Sequence, residues 1–220
     1  MAKYTKEQAI KIITNAAEKY RDELANNTLM FVCTDKHKRV VFFEFSFYNW
    51  NFKHLTGVKT KNQEDDNKEH ISAINFYNKC LSHKLSPDDF EFSDDGTTHL
   101  KLDIISSVLC KNLAAKMIGI LGPGKPYLQT DRIAGGTKAC IGFVVDSIKE
   151  CYVPNTLLKD NILNIACSYV RVIATLRKPN SEKKYNELTY RAKNVEWDKI
   201  KLPDEIEYLS SFFKNDKDCL

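Results

Sequence analysis

The sequence predicts an α+β fold in a single domain, and three features lead to that prediction. Residues 5–25 place apolar side chains at helical spacing, which predicts an amphipathic helix. Two runs rich in β-branched and aromatic residues follow, and the short polar turn between them predicts a β-hairpin. The chain beyond Tyr127 carries further strand-like runs, and no Pro-, Gly- or Ser-rich linker divides the 220 residues. Helices and strands that share one undivided chain favour the α+β class.

The composition is that of a mildly basic globular protein. Hydrophobic residues make up 43% of the chain and charged residues 28%, and the formal net charge is +4. So small a net charge does not identify a polyanionic partner, because phosphate binding depends on local clusters of cations. No apolar run approaches the roughly 20 residues that a membrane-spanning helix needs, so we expect no membrane partner.

Cysteine and carboxylate usage argues against metal chemistry. Seven cysteines are spread through the chain without any Cys-x-x-Cys pair, which predicts reduced thiols, a cytoplasmic location in a host cell and no zinc site. A two-metal site needs several convergent carboxylates. The acidic residues instead crowd into residues 63–69 and 87–95, which have the composition of solvated loops. We therefore expect neither a metal nor a cofactor.

The first half of the chain is predicted as a helix, a hairpin, a loop and a second helix. Thr5 and Gln8 form a capping-box pattern at the start of the first helix. Strands at 29–33 and 40–47 flank the hairpin turn. The nearly continuous apolar character of the second strand predicts a central strand that is covered on both faces. The polar residues 59–70 predict an exposed loop that runs into the second helix.

The second half is predicted as a long helix followed by a β-rich region. Apolar residues between Leu100 and Leu121 fit helical spacing, and the glycine- and proline-rich residues 122–126 end that helix. Gly142, inside an apolar run, predicts a bulge or a close backbone approach. Four strands and a closing helix are expected at 139–145, 151–153, 166–176, 184–192 and 203–213. The second of these strands should end at Pro154.

Three polar stretches contain the side chains that RNA cleavage without a metal requires, and we expect them to converge. They are residues 52–58, 128–132 and 152–156. In such a reaction the ribose 2′-hydroxyl is the nucleophile, and the protein supplies a base, an acid and cations for the phosphorane charge. The catalytic candidates are His54, Thr56, Arg132, Asn155 and Thr156. The candidates for substrate binding are Lys53, Tyr152, Arg171, Lys178 and Tyr185.

A structural role is open for each of these residues taken singly. His54, placed where a strand is expected to end, fits a hydrogen bond within a loop, and Thr56 fits an ordinary turn. Arg132 fits an ion pair with Asp131. Residues 154–156 fit a turn followed by a helix cap, because Asn and Thr favour both. The functional hypothesis therefore depends on the grouping of these side chains.

A basic tract lies near the C-terminus. Residues 171–201 contain nine Lys or Arg against four Asp or Glu, with Tyr185, Tyr190 and Trp197 interleaved. Cations combined with stacking rings suit single-stranded RNA. A solvated β-hairpin whose lysines lie along apolar surface explains the same composition. His37, at the tip of the first hairpin, is expected to be an exposed turn residue without a role in the chemistry.

An ordered series of motifs resembles a known family. The motifs are Phe52-Lys53-His54-Leu55-Thr56-Gly57-Val58, Asn75-Phe76-Tyr77, Lys84-Leu85-Ser86-Pro87-Asp88-Asp89, Thr98 to Lys101, Ile141-Gly142-Phe143 and Tyr152-Val153-Pro154-Asn155-Thr156. Together they are similar to the phage-associated nuclease-like domains grouped with the barnase, EndoU, colicin and RelE ribonucleases, and most similar to the fourth phage-associated subgroup. The resemblance spans roughly residues 25–180. Residues 181–220 are expected to form a C-terminal basic hairpin and helix.

The resemblance implies a curved, mainly antiparallel sheet with helices packed on one side. It also implies a metal-independent RNase of phage or mobile-element origin, related to toxins or defence. His54 and Thr56 occupy positions of its motif, and Asn155 and Thr156 are carried over with them. RNA, as tRNA or another single-stranded RNA, is the expected partner. The C-terminal segment is a candidate contact for a protein partner.

Two other functions remain open on the sequence alone. A non-catalytic binding module would keep the nuclease-like fold and act on a phage or host component, as a protein inhibitor or a nucleotide binder. An ordinary nucleic-acid-binding protein would act through residues 171–201. A His54→Ala substitution separates these hypotheses, because only the RNase requires that imidazole.

Overall fold

The computed structural model describes residues 4–60, 69–123, 129–197, 200, 202 and 204–214. The helices in these ranges are α1 (Lys6–Glu23), α2 (Phe52–Thr56), α3 (Glu69–Leu81), α4 (Thr97–Val108), α5 (Ile162–Ile165) and α6 (Ser210–Lys214). The strands are β1 (Asn27–Thr34), β2 (Val40–Ser46), β3 (Lys59–Thr60), β4 (Phe90–Glu91), β5 (Met117–Leu121), β6 (Arg132–Gly135), β7 (Cys140–Asp146), β8 (Cys151–Leu158), β9 (Ala166–Pro179) and β10 (Glu187–Arg191). Most of the predicted polar loop, residues 61–68, lies outside the described residues, as do residues 124–128.

Seven of the strands close into a barrel. Their order is β1-β2-β8-β7-β6-β5-β9, and β9 pairs back with β1. The pairings around the barrel are antiparallel except that of β2 with β8. Because β9 is 14 residues long, its first part pairs with β5, and its later part pairs with β1 on one edge and β10 on the other. The α+β class is confirmed, and the predicted curved sheet is a mixed sheet closed into a barrel.

The first hairpin has the predicted strands and turn. Its register runs from Thr28 opposite Ser46 to Thr34 opposite Val40. The central position of β2 is confirmed, since it lies between β1 and β8. Its predicted coverage on both faces is wrong, because Phe42 is 41% exposed.

Helix α1 supplies one side of the main core. Thr5 accepts a hydrogen bond from the Gln8 amide, and the Gln8 side chain bonds back to the Thr5 amide, so the predicted capping box is confirmed. Tyr20 is fully buried, and its hydroxyl donates to the Tyr48 carbonyl at 2.9 Å. α1 packs against α3 and α4, and its apolar face meets strand residues such as Phe31 in one hydrophobic cluster.

The C-terminal segment, which comprises the described residues after β10 (192–197, 200, 202 and 204–214), covers the outer face of β1 and β9. Met30 and Val32 of β1 form a second buried cluster with Trp197 and Phe213. The rings of Trp197 and Phe213 stack with their centroids 4.4 Å apart. The predicted closing helix is a 3-10 helix, Asp204–Leu209, that continues into α6. The predicted partner strand is confirmed as β10, which pairs with β9.

The predicted long helix from Leu100 to Leu121 is wrong. The chain leaves α4 at Val108 and forms β5 from Met117 onward. Leu113 and Ala114 between them have positive φ angles of 54° and 49°, which no helix continues through. The residues of β5 also fit helical spacing, but they pair with β6 on one edge and β9 on the other. Barrel closure therefore outweighs the local pattern.

The prediction that a short strand ends at Pro154 is also wrong. β8 continues through Pro154 to Leu158. The register between β7 and β8 shifts between Gly142 and Phe143, so an extra residue on β8 is left outside the regular ladder. A proline fits inside a strand at such a bulge, because the missing amide hydrogen is not needed there. The predicted bulge or close approach at Gly142 is confirmed, since a Cβ there would lie 2.7 Å from Thr156 Cγ2.

Candidate functional site

The first polar stretch forms helix α2 rather than a strand end or a loop. Its apolar residues Phe52 and Leu55 are fully buried, which fixes the helix on the core. Gly57 ends the helix with a φ of 71°. Thr56 is also fully buried. Its hydroxyl donates to the Lys53 carbonyl at 2.7 Å and accepts from the Val58 amide at 3.3 Å, so Thr56 holds the shape of the turn.

Helix α4 holds this turn from the other side. The Thr98 hydroxyl donates to the Gly57 carbonyl at 2.6 Å and accepts from the Ser93 amide at 2.9 Å. The Lys101 side chain crosses Gly57 so closely that a Cβ on the glycine would lie 2.7 Å from Lys101 Cδ. Lys101 Nζ then donates to the His54 carbonyl at 3.1 Å. The backbone that carries His54 is thus tied to α4 at two points.

Lys101 has a strongly displaced proton affinity. Desolvation lowers the pKa of its ammonium to about 8, although the charge of Asp95 acts in the opposite direction. An amine with a pKa near 8 exchanges its proton close to neutral pH, as catalytic lysines do. The imidazole of His54, the residue whose carbonyl Lys101 contacts, is exposed to solvent. Lys53, in the same helix, is only 3% exposed.

The second and third polar stretches come together on the barrel wall. Asn155 Nδ2 donates to the Gln129 carbonyl at 3.1 Å. The side chains of Thr130 and Thr156 both lie against Gly142. α2 packs against β8, the strand that carries Asn155 and Thr156. The first stretch therefore lies beside the element in which the other two meet.

Arg132 lies at the start of β6 between two aromatic rings. Its guanidinium carbon is 5.9 Å from the centroid of Phe43 and 5.7 Å from that of Tyr152. Nη1 donates to the Asp131 carbonyl oxygen at 2.8 Å. The Asp131 carboxylate accepts from the Val145 amide at 2.9 Å. The contact between Arg132 and Asp131 is thus made through the backbone of the aspartate.

The remaining binding candidates lie elsewhere. Arg171 is exposed on β9. Lys178 Nζ lies 4.9 Å from the ring centroid of Tyr185. Tyr185 is 4% exposed and donates its hydroxyl to Glu44. Its ring is therefore part of the core that fixes the C-terminal segment.

Much of the basic tract is engaged inside the protein. Arg177 forms an ion pair with Glu187. Lys184 lies over the ring of Tyr208, and Arg191 lies over Trp197 while donating to the Phe213 carbonyl. These contacts bind β9, β10 and the C-terminal segment to one another.

Three further properties bear on chemistry and location. Among the residues that the structure describes, no group of three or more His, Cys, Asp or Glu side chains is placed to hold a metal ion. The six described cysteines are free thiols. Within the described ranges, the helices are too short or too polar to cross a membrane.

Lys101 is the functional candidate that the sequence analysis missed. It ends the motif Thr98 to Lys101, whose only signal in the sequence is its resemblance to the family. A lysine on a helix has no sequence signal for desolvation, because burial depends on the turn that packs over it.

The similarity of this chain to known proteins indicates its family. No curated protein and no solved structure matches the chain. The model of the family described as phage-Barnase-EndoU-ColicinE5/D-RelE like nuclease4 matches residues 12–194. That range includes α2, α4 and the whole barrel, so it covers every candidate residue named above. The match covers most of the chain, so the chain belongs to this family of phage-associated nuclease-like proteins.

Proposed function

We propose that the protein is a metal-independent endoribonuclease that cleaves RNA through attack of the ribose 2′-hydroxyl. The observation that carries the proposal is the turn in which exposed His54 is held by Lys101, an amine whose pKa is lowered to about 8. Membership of a nuclease-like family supports the reaction class. The reaction needs a group that accepts a proton and a group that donates one near neutral pH.

His54 acts as the general base and Lys101 as the general acid in this mechanism. His54 takes the proton of the 2′-hydroxyl, and the oxygen attacks the adjacent phosphorus. Lys101 donates a proton to the departing 5′-oxygen. The products are a 2′,3′-cyclic phosphate and a free 5′-hydroxyl. Histidine suits the first role because its proton exchange falls between pH 5 and 8.

Residues on the barrel wall hold the phosphate. Arg132 supplies a cation for the phosphorane charge, and Asn155 supplies a hydrogen bond. Thr156 is only 5% exposed and acts indirectly, by packing against Gly142 beside Asn155. The packing of α2 against β8 and the bond between Asn155 and Gln129 support this assignment. Thr56 acts indirectly, because its buried hydroxyl fixes the turn that carries His54.

We place the reaction in the cytosol of a host cell, with single-stranded RNA as the substrate class. The free thiols of the described cysteines support a reducing compartment. The phage-associated family supports a role in a host cell.

Cleavage of total cellular RNA in excess EDTA tests the proposal. Wild-type protein should give fragments that end in a 2′,3′-cyclic phosphate, and His54→Ala should not. His83→Asn is the matched control, because His83 is also exposed and its φ of 55° suits asparagine. This control should cleave like the wild type. Equal cleavage by His54→Ala would remove His54 from the mechanism, and no cleavage by any variant would favour a non-catalytic binding module.

A further inference from the structure

A second concave region lies at the far end of the first hairpin. It is a cleft of about 1120 Å³ between the β1–β2 turn, the first half of β9, residues 194–196 and Ile200. β2 separates this turn from the turn that precedes α2. Its seven residues span about 23 Å at roughly 3.3 Å per residue. The cleft is therefore distinct from the region around His54.

We propose that this cleft binds single-stranded nucleic acid, with its cations on the phosphates and Tyr169 under a base. This proposal rests on the proposed function, because it names a second site that holds the RNA away from the place of cleavage. Among the residues that the structure describes, four cations line the cleft against two carboxylates, Asp35 and Glu196. The cations are Lys36, Lys38, Arg39 and Arg171.

The β1–β2 turn presents its lysines on an ordered frame. The Asp35 carboxylate accepts hydrogen bonds from the amides of His37 at 2.8 Å and Arg39 at 2.9 Å. It also forms an ion pair with the Arg39 guanidinium at 2.7 Å. Asp35 is thus engaged in shaping the turn, while Lys36 and Lys38 remain exposed at its tip. A fixed turn with exposed lysines suits a ligand that offers several phosphates.

Tyr169 has an uncovered ring beside these cations. Its exposed fraction is 53%, although it lies within a paired strand. The residue opposite it on β5 is Gly119, which has no side chain to cover the ring. On the other edge of β9, pairing with β1 extends only as far as Arg171. The ring is thus left without a cross-strand neighbour on either side.

Tyr169 and Arg171 together select the class of ligand. They are two residues apart on β9, so they lie on the same face about 7 Å from each other. A cation at that distance from an exposed aromatic ring matches a nucleotide, because the cation can contact the phosphate while the ring stacks on the base. Double-stranded RNA would offer phosphates but would keep its bases stacked. The combination therefore favours a single strand.

Fluorescence anisotropy with a labelled 2′-O-methyl oligonucleotide tests the proposal on the full chain. This probe cannot be cleaved through a 2′-hydroxyl, so binding is measured separately from catalysis. Tyr169→Ala should weaken binding about 5- to 150-fold, and Tyr169→Phe should preserve it, because stacking requires only the ring. Failure of His54→Ala to abolish RNA cleavage would refute the proposed function and leave this test untouched.

A matched pair of triple variants tests the electrostatic part. The first is Lys36→Asn with Lys38→Asn and Arg171→Gln, and the control removes three exposed lysines outside the cleft, Lys11→Gln with Lys84→Gln and Lys138→Gln. The cleft triple should reduce the slope of log affinity against log salt by about 2, at roughly 0.7 for each lost phosphate contact. Equal slopes for the two triples would overturn the proposal. So would an unchanged oligonucleotide affinity with loss of binding to an acidic peptide, which would assign the cleft to a protein partner.

Discussion

His37 lies at the turn of the β1–β2 hairpin and His54 lies in α2, beyond the other end of the hairpin, and the two histidines have contrasting surroundings. At the α2 end, buried hydroxyls and the Lys101 ammonium bind the backbone around His54. At the turn end, the Asp35 carboxylate and backbone hydrogen bonds order the chain, and the neighbouring lysines are exposed. Proton transfer requires positions fixed to within a fraction of an ångström, whereas phosphate binding requires only the presence of charge. The contrast therefore favours chemistry at the α2 end and binding at the turn end.

The largest expected effect comes from replacing each histidine in turn. His54→Ala should lower kcat about 10²- to 10⁴-fold, because it removes one partner in proton transfer. His37→Ala should leave kcat within about threefold and raise KM, since His37 lines the binding cleft. Steady-state kinetics on a labelled RNA measures both constants. A loss of kcat with His37→Ala instead would reverse the assignment of the two ends.

The next effect concerns the stability of the turn at Gly57 that ends α2. Gly57→Ala should lower the free energy of unfolding by about 2–4 kcal/mol, because it adds strain at positive φ and a clash with Lys101. Gly96→Ala is the matched control, since its φ is 75° but nothing lies within 4 Å of a new Cβ. Gly96→Ala should lower the free energy of unfolding by about 1–2 kcal/mol. Urea denaturation measures both, and equal losses would show that the close packing of Lys101 over the turn carries no cost.

A smaller effect follows from the titration of Lys101. Its folded pKa of about 8 lies below that of an unfolded lysine, about 10.4, so the folded state binds fewer protons between these values. The charged amine therefore costs stability below pH 8, and stability rises with pH across the window. Lys101→Met keeps the apolar stem and lacks this rise.

Denaturation at pH 7 and pH 10.5 measures the difference between wild type and Lys101→Met. The wild type should gain about 1–3 kcal/mol relative to the variant over that range, after allowance for partial exposure. A parallel response of the two proteins would place the lysine in water and weaken its role as the general acid.

The smallest effect is expected at the hairpin tip and has the opposite sign. Lys38 has a φ of 62°, a conformation that glycine adopts without strain. Lys38→Gly should raise the free energy of unfolding by about 0.5 kcal/mol, because relief of strain exceeds the added entropy of the unfolded chain. Lys36→Gly removes the same charge without that relief and should be neutral or destabilising. Both should weaken oligonucleotide binding, which would separate the function of the lysines from their effect on stability.

Local patterns were sufficient where the relevant contacts lie close together in the chain. The capping box of α1, the first hairpin and the partner strand β10 all follow from spacing and turn chemistry within about 20 residues. The grouping of Asn155 with the second polar stretch was expected as well, and the bond from Asn155 to Gln129 lies within it. The assignment of catalytic roles to these residues stays a prediction.

Long-range pairing decided what the patterns missed. Residues 117–121 fit a helix by spacing, yet they form β5 because β6 and β9 offer backbone partners on both edges. β8 passes through Pro154 because a bulge opposite Gly142 removes the need for its amide hydrogen. The desolvation of Lys101 and the exposure of Tyr169 likewise depend on residues more than 40 positions away, Gly57 and Gly119.

The sequence by itself determined the α+β class, the first helix and hairpin, and the kinds of side chain available for chemistry, because these depend on composition and short-range periodicity. Closure of the barrel, the lowered pKa of Lys101 and the cleft around Tyr169 were decided by the tertiary structure alone. Each of these arises where segments distant in the chain meet, and no local pattern of residues encodes how closely they approach.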